Sequence, residues 1–188
     1  GHMVYQNLHA DAFLEGDAVA SLEMLAIAVR ELGVDDAKVD ERGARWRTAH
    51  DNLHDKLRTD QAAVRHKMPI DPIWLCAALG ETLPDNAVYV DETITHRRIL
   101  RSHIPWNGKQ DYFRVAGGLG QGLGIALGVK LALKERPVVS LIGDGSFLYN
   151  PVTQSFGVAC EANLPFMTVI FNNANYEAMR SNHLHYYP

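Results

Sequence analysis

Two short runs constrain this chain most. Pro137-Val138-Val139-Ser140-Leu141-Ile142 leads into Gly143-Asp144-Gly145-Ser146, and Pro165-Phe166-Met167-Thr168-Val169-Ile170-Phe171 leads into Asn172-Asn173. Between Gly145 and Asn172 lie 26 residues. Apolar, β-branched runs of this length, each closed by polar or glycine residues, read as buried parallel strands of one sheet. In such a sheet ligands bind beyond the carboxyl ends of the strands. Asp144 and Asn173 are therefore delivered to one edge, beside a glycine turn. Their oxygens suit a hard cation such as Mg2+, which takes about six oxygen ligands in near-octahedral geometry. One carboxylate (Asp144), one amide oxygen (Asn173), one backbone carbonyl (Asn175), two diphosphate oxygens and a water make such a set. Gly145 leaves the phosphates an open approach, and the Ser146 hydroxyl and the N–H groups entering the next helix can donate to them. Alone, Gly-Asp-Gly is also an ordinary tight turn and Asn-Asn an ordinary cap. Their joint placement after two buried strands favours the ligand.

The rest of the chain alternates helix and strand patterns. Asp17 and Gly33 bracket a helix whose apolar positions are Val19, Leu22, Leu25, Ala26, Val29 and Leu32. Residues 34–67 are polar and charged, as in a solvated helix or a linker. Asp71-Pro72 starts a new unit as N-cap and first helical position. Ala87–Asp91 and Tyr112–Val115 read as further strands, followed by a glycine-rich helix over about 119–134 and a helix near 151–162. Gly120, Gly124 and Gly128 recur every fourth residue, which predicts a bare helix face packed on the sheet. A last helix starts near Tyr176. This alternation predicts an α/β fold, doubly wound, with a mostly parallel sheet and helices on both faces. The sequence stops one helix after the last strand, so the domain is expected to be truncated at its C-terminus.

Composition narrows the function classes. The net charge is −4, with no basic stripe of the kind nucleic acids require. Lys130 and Lys134 interrupt the longest apolar candidate for a membrane span. There is no signal-peptide pattern, and Gly1-His2-Met3 reads as an expression-tag remnant. Cys76 and Cys160 sit in apolar helical patterns and read as buried free thiols, consistent with a cytoplasmic protein. No register of residues 117–128 gives G-x-G-x-x-G, and no Walker loop is present, so a dinucleotide or P-loop site is excluded.

From Gly117 to Arg180 the chain resembles the pyrophosphate-binding domain of the acetolactate synthase, benzoylformate decarboxylase and pyruvate decarboxylase superfamily. The residues that carry the resemblance are Gly117-Gly118-Leu119-Gly120, Ile142-Gly143-Asp144-Gly145-Ser146 and Phe171-Asn172-Asn173-Ala174-Asn175-Tyr176-Glu177-Ala178-Met179-Arg180. It implies thiamine diphosphate and Mg2+ as cofactors, with Asp144, Asn173 and Asn175 as metal ligands. It makes Leu119 the apolar wedge under the cofactor, 25 positions before Asp144, and Gly117 the carbonyl that accepts from the aminopyrimidine. It extends the cofactor-contacting set to Gly118, Gly145, Ser146, Tyr176, Glu177 and Ala178, and to Thr95 in the loop Asp91–His96. His96 and His103 are candidate general acids or ordinary loop histidines, and His183, His185, Tyr186 and Tyr187 fall in a lid or substrate segment.

The resemblance further implies that residues 4–33 end a preceding middle domain, that 34–67 form a partly helical linker, and that 68–188 are the incomplete cofactor domain. The activating glutamate would come from a pyrimidine-binding domain of the same or a neighbouring subunit. No catalytic residue is then expected in this chain, which would act on a 2-keto acid as part of a homodimer or homotetramer, by decarboxylation or carboligation. Two other readings remain: a non-catalytic regulatory or interaction domain derived from such enzymes, and a Rossmann-like enzyme using Mg2+ and phosphate without thiamine.

Overall fold

The computed structural model describes residues 11–187. The tag remnant Gly1-His2-Met3 and the first residues of the 4–33 segment lie outside them. The chain divides into two compact units, one up to Leu53 and one from His54.

The first unit holds α1 (Ala18–Leu32) and the start of α2 (Asp36–Val64). α1 starts where its sequence says it should. The Asp17 carboxylate accepts from Ala20 N at 2.9 Å, satisfying one orphan N–H of the first turn. Gly33 ends the helix at φ +73°, where a side chain would be strained, and donates to Arg30 O. No residue of α1 is buried, and Leu22, Leu25, Val29 and Leu32 stay exposed.

The second unit holds the end of α2, then α3 (Pro72–Thr82), β1 (Val88–Glu92), α4 (Arg97–His103), β2 (Asp111–Arg114), α5 (Gly122–Ala132), β3 (Val138–Gly143), α6 (Asp144–Tyr149), α7 (Val152–Glu161), β4 (Met167–Phe171) and α8 (Glu177–Tyr186). The four strands are parallel in the order β2-β1-β3-β4. Glu92 pairs with Ile142, and Gly143 with Phe171. That register brings the carboxyl ends of β1, β3 and β4 level, so the residues just after each strand meet.

Successive side chains on a strand point to opposite faces, and both faces are covered. On one, Tyr89, Val139 and Leu141 pack with Cys76 and Leu79 of α3 and with Leu100 of α4. On the other, Val88, Val90 and Val138 pack with Ala126 of α5 and Val115. This is the doubly wound arrangement expected.

Three expectations fail locally. α5 begins at Gly122, and residues 117–121 are a loop. Gly124 and Gly128 are exposed, with open space where a side chain would stand. Leu123 and Ala126 take the sheet-facing side of α5 instead. The tight approaches fall at Gly120, where a Cβ would lie 2.4 Å from the Tyr149 carbonyl oxygen, and at Gly122, where it would lie 2.6 Å from Glu92 Oε2. Third, Cys160 is exposed while Cys76 is buried. α7 turns the Cys160 position away from the core, whereas burial pushes the Cys76 thiol up to about 12. Among the described residues no helix is long and apolar enough to cross a membrane.

Candidate functional site

An open cleft lies beyond the level ends of β1, β3 and β4. The loop after β1 supplies Ile94, Thr95 and His96, and the glycine loop supplies Leu119. The turn from β3 into α6 supplies Asp144, Gly145 and Ser146; the segment after β4 supplies Asn173, Asn175, Tyr176, Glu177 and Ala178. Gly117 and Gly118, expected at the cofactor, are exposed and do not line this cleft.

The geometry of the β3 and β4 ends follows from short polar residues. Gly143 is the N-cap of α6, and Asp144 Oδ1 accepts from Gly145 N at 2.9 Å. Asn172 Oδ1 accepts from Ala174 N at 2.9 Å, and Asn173 Oδ1 from Asn175 N at 3.1 Å. These Asx turns make the chain change direction immediately after the strand. Ala174 sits between them at φ +53°, a left-handed conformation that costs of order 1–3 kcal/mol for a residue with a side chain. The strain is local to the segment that turns Asn173 and Asn175 into the cleft.

Gly145 is fixed by a neighbour as well as by space for a ligand. A Cβ there would lie 2.9 Å from Cε1 of Tyr176, whose ring covers the turn. The Glu177 carboxylate accepts from Asn175 Nδ2 at 2.9 Å, Arg180 Nε at 2.8 Å and Ser181 Oγ at 2.9 Å. The hydrogen bond from Arg180, then that from Ser181, holds its pKa below the usual carboxylate range. Glu177 therefore ties the turn after β4 to α8.

His96 is half-buried against the Phe171 ring, centroid to centroid 5.2 Å. Burial lowers its pKa from the ordinary imidazole value, and the charge of Asp144 opposes that shift. It faces the cleft as a neutral imidazole at neutral pH. His103 does not line the cleft: it is buried, with Nδ1 3.3 Å from Gln61 Nε2. His183 and His185 are exposed on α8, against the rings of Tyr187 and Tyr186. Among the described residues no three His, Cys, Asp or Glu side chains gather to hold a metal. A cation at Asp144 would thus draw its other ligands from amide, carbonyl and phosphate oxygens.

Sequence reasoning missed the groups that hold the opposite wall. Glu92, 3% exposed, ends β1 and turns its carboxylate onto the glycine loop. Oε1 accepts from Gly120 N at 2.6 Å and Gln121 N at 2.9 Å; Oε2 accepts from Gly122 N at 2.9 Å and Asn150 Nδ2 at 2.8 Å. Asn150 Oδ1 in turn accepts from Leu123 N at 3.0 Å. A side-chain carboxylate thus caps the start of α5. Asp91, fully buried, accepts from Thr93 N at 2.7 Å, Thr93 Oγ1 at 2.6 Å, Arg97 Nε at 3.1 Å and the Tyr112 hydroxyl. Burial and that bond to Asp91 push the Tyr112 hydroxyl up to about 12. The signal was in the sequence: two acids continue the buried run Val88-Tyr89-Val90, and a buried charge requires partners.

Residues 94–188 match the family described as thiamine pyrophosphate enzyme, C-terminal TPP binding domain. The chain belongs to this family. Benzoylformate decarboxylase of Pseudomonas aeruginosa is 31% identical over 129 residues, 68% of this chain and 24% of that protein. Acetolactate synthase isozyme 3 large subunit of Escherichia coli is 32% identical over 111 residues, 57% of this chain and 19% of that protein. Among solved structures, the thiamine diphosphate-dependent 4-hydroxybenzoylformate decarboxylase of Rhodococcus jostii superposes with a TM-score of 0.57 at 34% identity, covering 62% of this chain and 22% of that one. The chain thus spans about a quarter or less of these relatives.

The chemistry of this cleft fits a metal diphosphate. Its donors at the β3 and β4 ends are all oxygens, one of them anionic, and their only bonds among the described residues are to N–H groups of the same turns. The side-chain-free turn at Gly145 is retained by close contact with Tyr176. Leu119, 37% exposed, presents an apolar side chain to the cleft.

Proposed function

We propose that this chain carries the diphosphate half of a thiamine diphosphate site in an enzyme acting on 2-keto acids. Asp144, the Asn173 side chain and the Asn175 carbonyl would hold Mg2+, whose charge would offset that of the cofactor's phosphates. The observation that carries the reading is that one cleft holds Asp144 and Asn173 at level strand ends, with Leu119 opposite. Bound thiamine diphosphate supplies the nucleophilic and electron-accepting chemistry of 2-keto acid decarboxylation or carboligation.

The protein's own part is positioning. Asp144 would supply negative charge to the metal, and Ser146 and Thr95, which line the same cleft, would donate their hydroxyls to phosphate. Leu119 sets the bend of the cofactor by bulk. His96 lies within the cleft and can accept a proton there. The pyrimidine half, with its activating glutamate, would come from a pyrimidine-binding domain of the same or a neighbouring subunit, in a homodimer or homotetramer. The free thiols of Cys76 and Cys160 accord with a reducing compartment such as the cytoplasm.

The test is an assay of the complete enzyme against a panel of 2-keto acids. Release of CO2 that requires both thiamine diphosphate and Mg2+ supports the reading. Turnover that persists after both are removed, or no reaction with any 2-keto acid, overturns it.

A further inference from the structure

We propose that the arginine face of α4 is a binding site for the phosphate group of a small organic ligand. A separate shallow surface groove is lined by Ile94, Arg97, Arg98, Arg101 and Ser102. Arg97 is already committed: its Nε donates to the buried Asp91 at 3.1 Å and its Nη2 to Thr93 O at 2.7 Å. Arg98 and Arg101 have no carboxylate partner among the described residues. Both guanidiniums are exposed.

Their spacing sharpens the point. Arg97 and Arg101 are four apart and Arg98 and Arg101 three apart on one helix. Like charges at those spacings weaken a helix. An anion in the groove reverses that sign. Phosphate fits the donor set better than carboxylate does. Two guanidinium forks and the Ser102 hydroxyl match a tetrahedral phosphate, which carries more charge and more acceptor oxygens than a carboxylate.

Ile94 lines both this groove and the cofactor cleft, and it is 51% exposed. A ligand whose phosphate sits on Arg98 and Arg101 can lay an apolar segment over Ile94 and reach the cleft of Asp144 and His96. The site is separate from the one for the cofactor diphosphate. That the ligand is the substrate, a phosphate-bearing acyl compound, rests on the function proposed above; that the arginine face takes phosphate does not.

The experiment is a titration of the metal-free protein with phenyl phosphate, read by NMR at the arginine Nε–H resonances, with benzoate as the carboxylate control. The expected result is saturable shifts at Arg98 and Arg101, weaker binding of benzoate, and roughly tenfold weaker phenyl phosphate binding for each of Arg98→Gln and Arg101→Gln. Both side chains are exposed, so these variants fold. Asp144→Ala should leave this binding unchanged, which separates it from the cofactor cleft. Absence of saturable shifts at Arg98 and Arg101, or affinity unchanged in the double variant, would overturn the proposal. So would binding of an acidic peptide without binding of phenyl phosphate. Thiamine diphosphate affinity, measured separately with Mg2+, reports on the other reading alone.

Discussion

The two walls of the cofactor cleft are built in opposite ways. On the β1 side, Asp91 and Glu92 are buried and each accepts four hydrogen bonds, several from residues distant in sequence. On the β3 and β4 side, Asp144 and Asn173 accept only from N–H groups within two residues. The first pair of side chains is consumed by donors of the protein itself; the second has lone pairs to spare. A carboxylate with all its acceptor positions taken by N–H groups is a structural element, whereas one with free oxygens at a strand end is a candidate metal ligand. Which acidic residue does which work is thus set by what its oxygens already touch.

The comparison can be broken most forcefully at Glu92. Glu92→Ala strands three backbone N–H groups and the Asn150 amide in a buried place. Each orphaned group costs about 1–3 kcal/mol, and the set acts as a unit, so a loss of about 3–5 kcal/mol is expected. Glu92→Gln should recover part of it, because one acceptor oxygen remains. The urea midpoint with an unchanged m-value is the measurement. A cost below about 1 kcal/mol would mean the glycine loop holds itself.

Tyr112→Phe removes one of four donors to Asp91. A loss of about 1.5–3 kcal/mol is expected, the range for a hydrogen bond to a charged group. The same change at Tyr176, whose hydroxyl makes no such bond, should leave stability nearly unchanged.

Acid should weaken the fold through imidazoles. Burial depresses the pKa of both His96 and His103 below 6.5. The unfolded chain therefore binds these protons more readily than the folded one. Their stabilisation is complete above pH 6.5 and is lost as pH falls through the depressed values. Denaturant midpoints measured down the acid range should show it, and His103→Gln should flatten the slope. An unaltered slope in both His96→Gln and His103→Gln would assign acid sensitivity elsewhere.

Much of this was legible beforehand, for a physical reason. The β-branched runs 137–142 and 165–171 become strands of a parallel sheet, and such a sheet forces their ends to one edge, so Asp144 and Asn173 met as expected. Asp17, Gly33 and Asp71 cap the helices they were assigned, because capping is local chemistry. What was not legible depended on distant partners. Glu92 reads as a strand-end acid until Gly120, Gly122 and Asn150 are folded around it. The four-residue repeat of Gly120, Gly124 and Gly128 says that one face of a helix is bare but not which face docks. Cys160 illustrates the same gap: apolar neighbours in sequence did not put it inside.

The smallest expected effects on stability fall on the ligand-facing wall. Leu119 is 37% exposed, so Leu119→Ala should cost well under the roughly 2–5 kcal/mol of a buried Leu→Ala change. It should nevertheless lower turnover of the complete enzyme, because the wedge acts on the cofactor. Leu141→Ala, in the core, should show the full cost. Equal losses at both positions would make Leu119 ordinary core.

Asp144→Ala tests the central claim most directly. Calorimetry of thiamine diphosphate into the complete enzyme, with and without Mg2+, should show Mg2+-dependent binding in the wild type and none in the variant. The unfolding midpoint should be shared, since Asp144 supports only its own turn. Asn173→Ala, which removes a neutral ligand, should weaken binding less. Unchanged Mg2+-dependent affinity in Asp144→Ala would contradict the account and move the metal away from the β3 end.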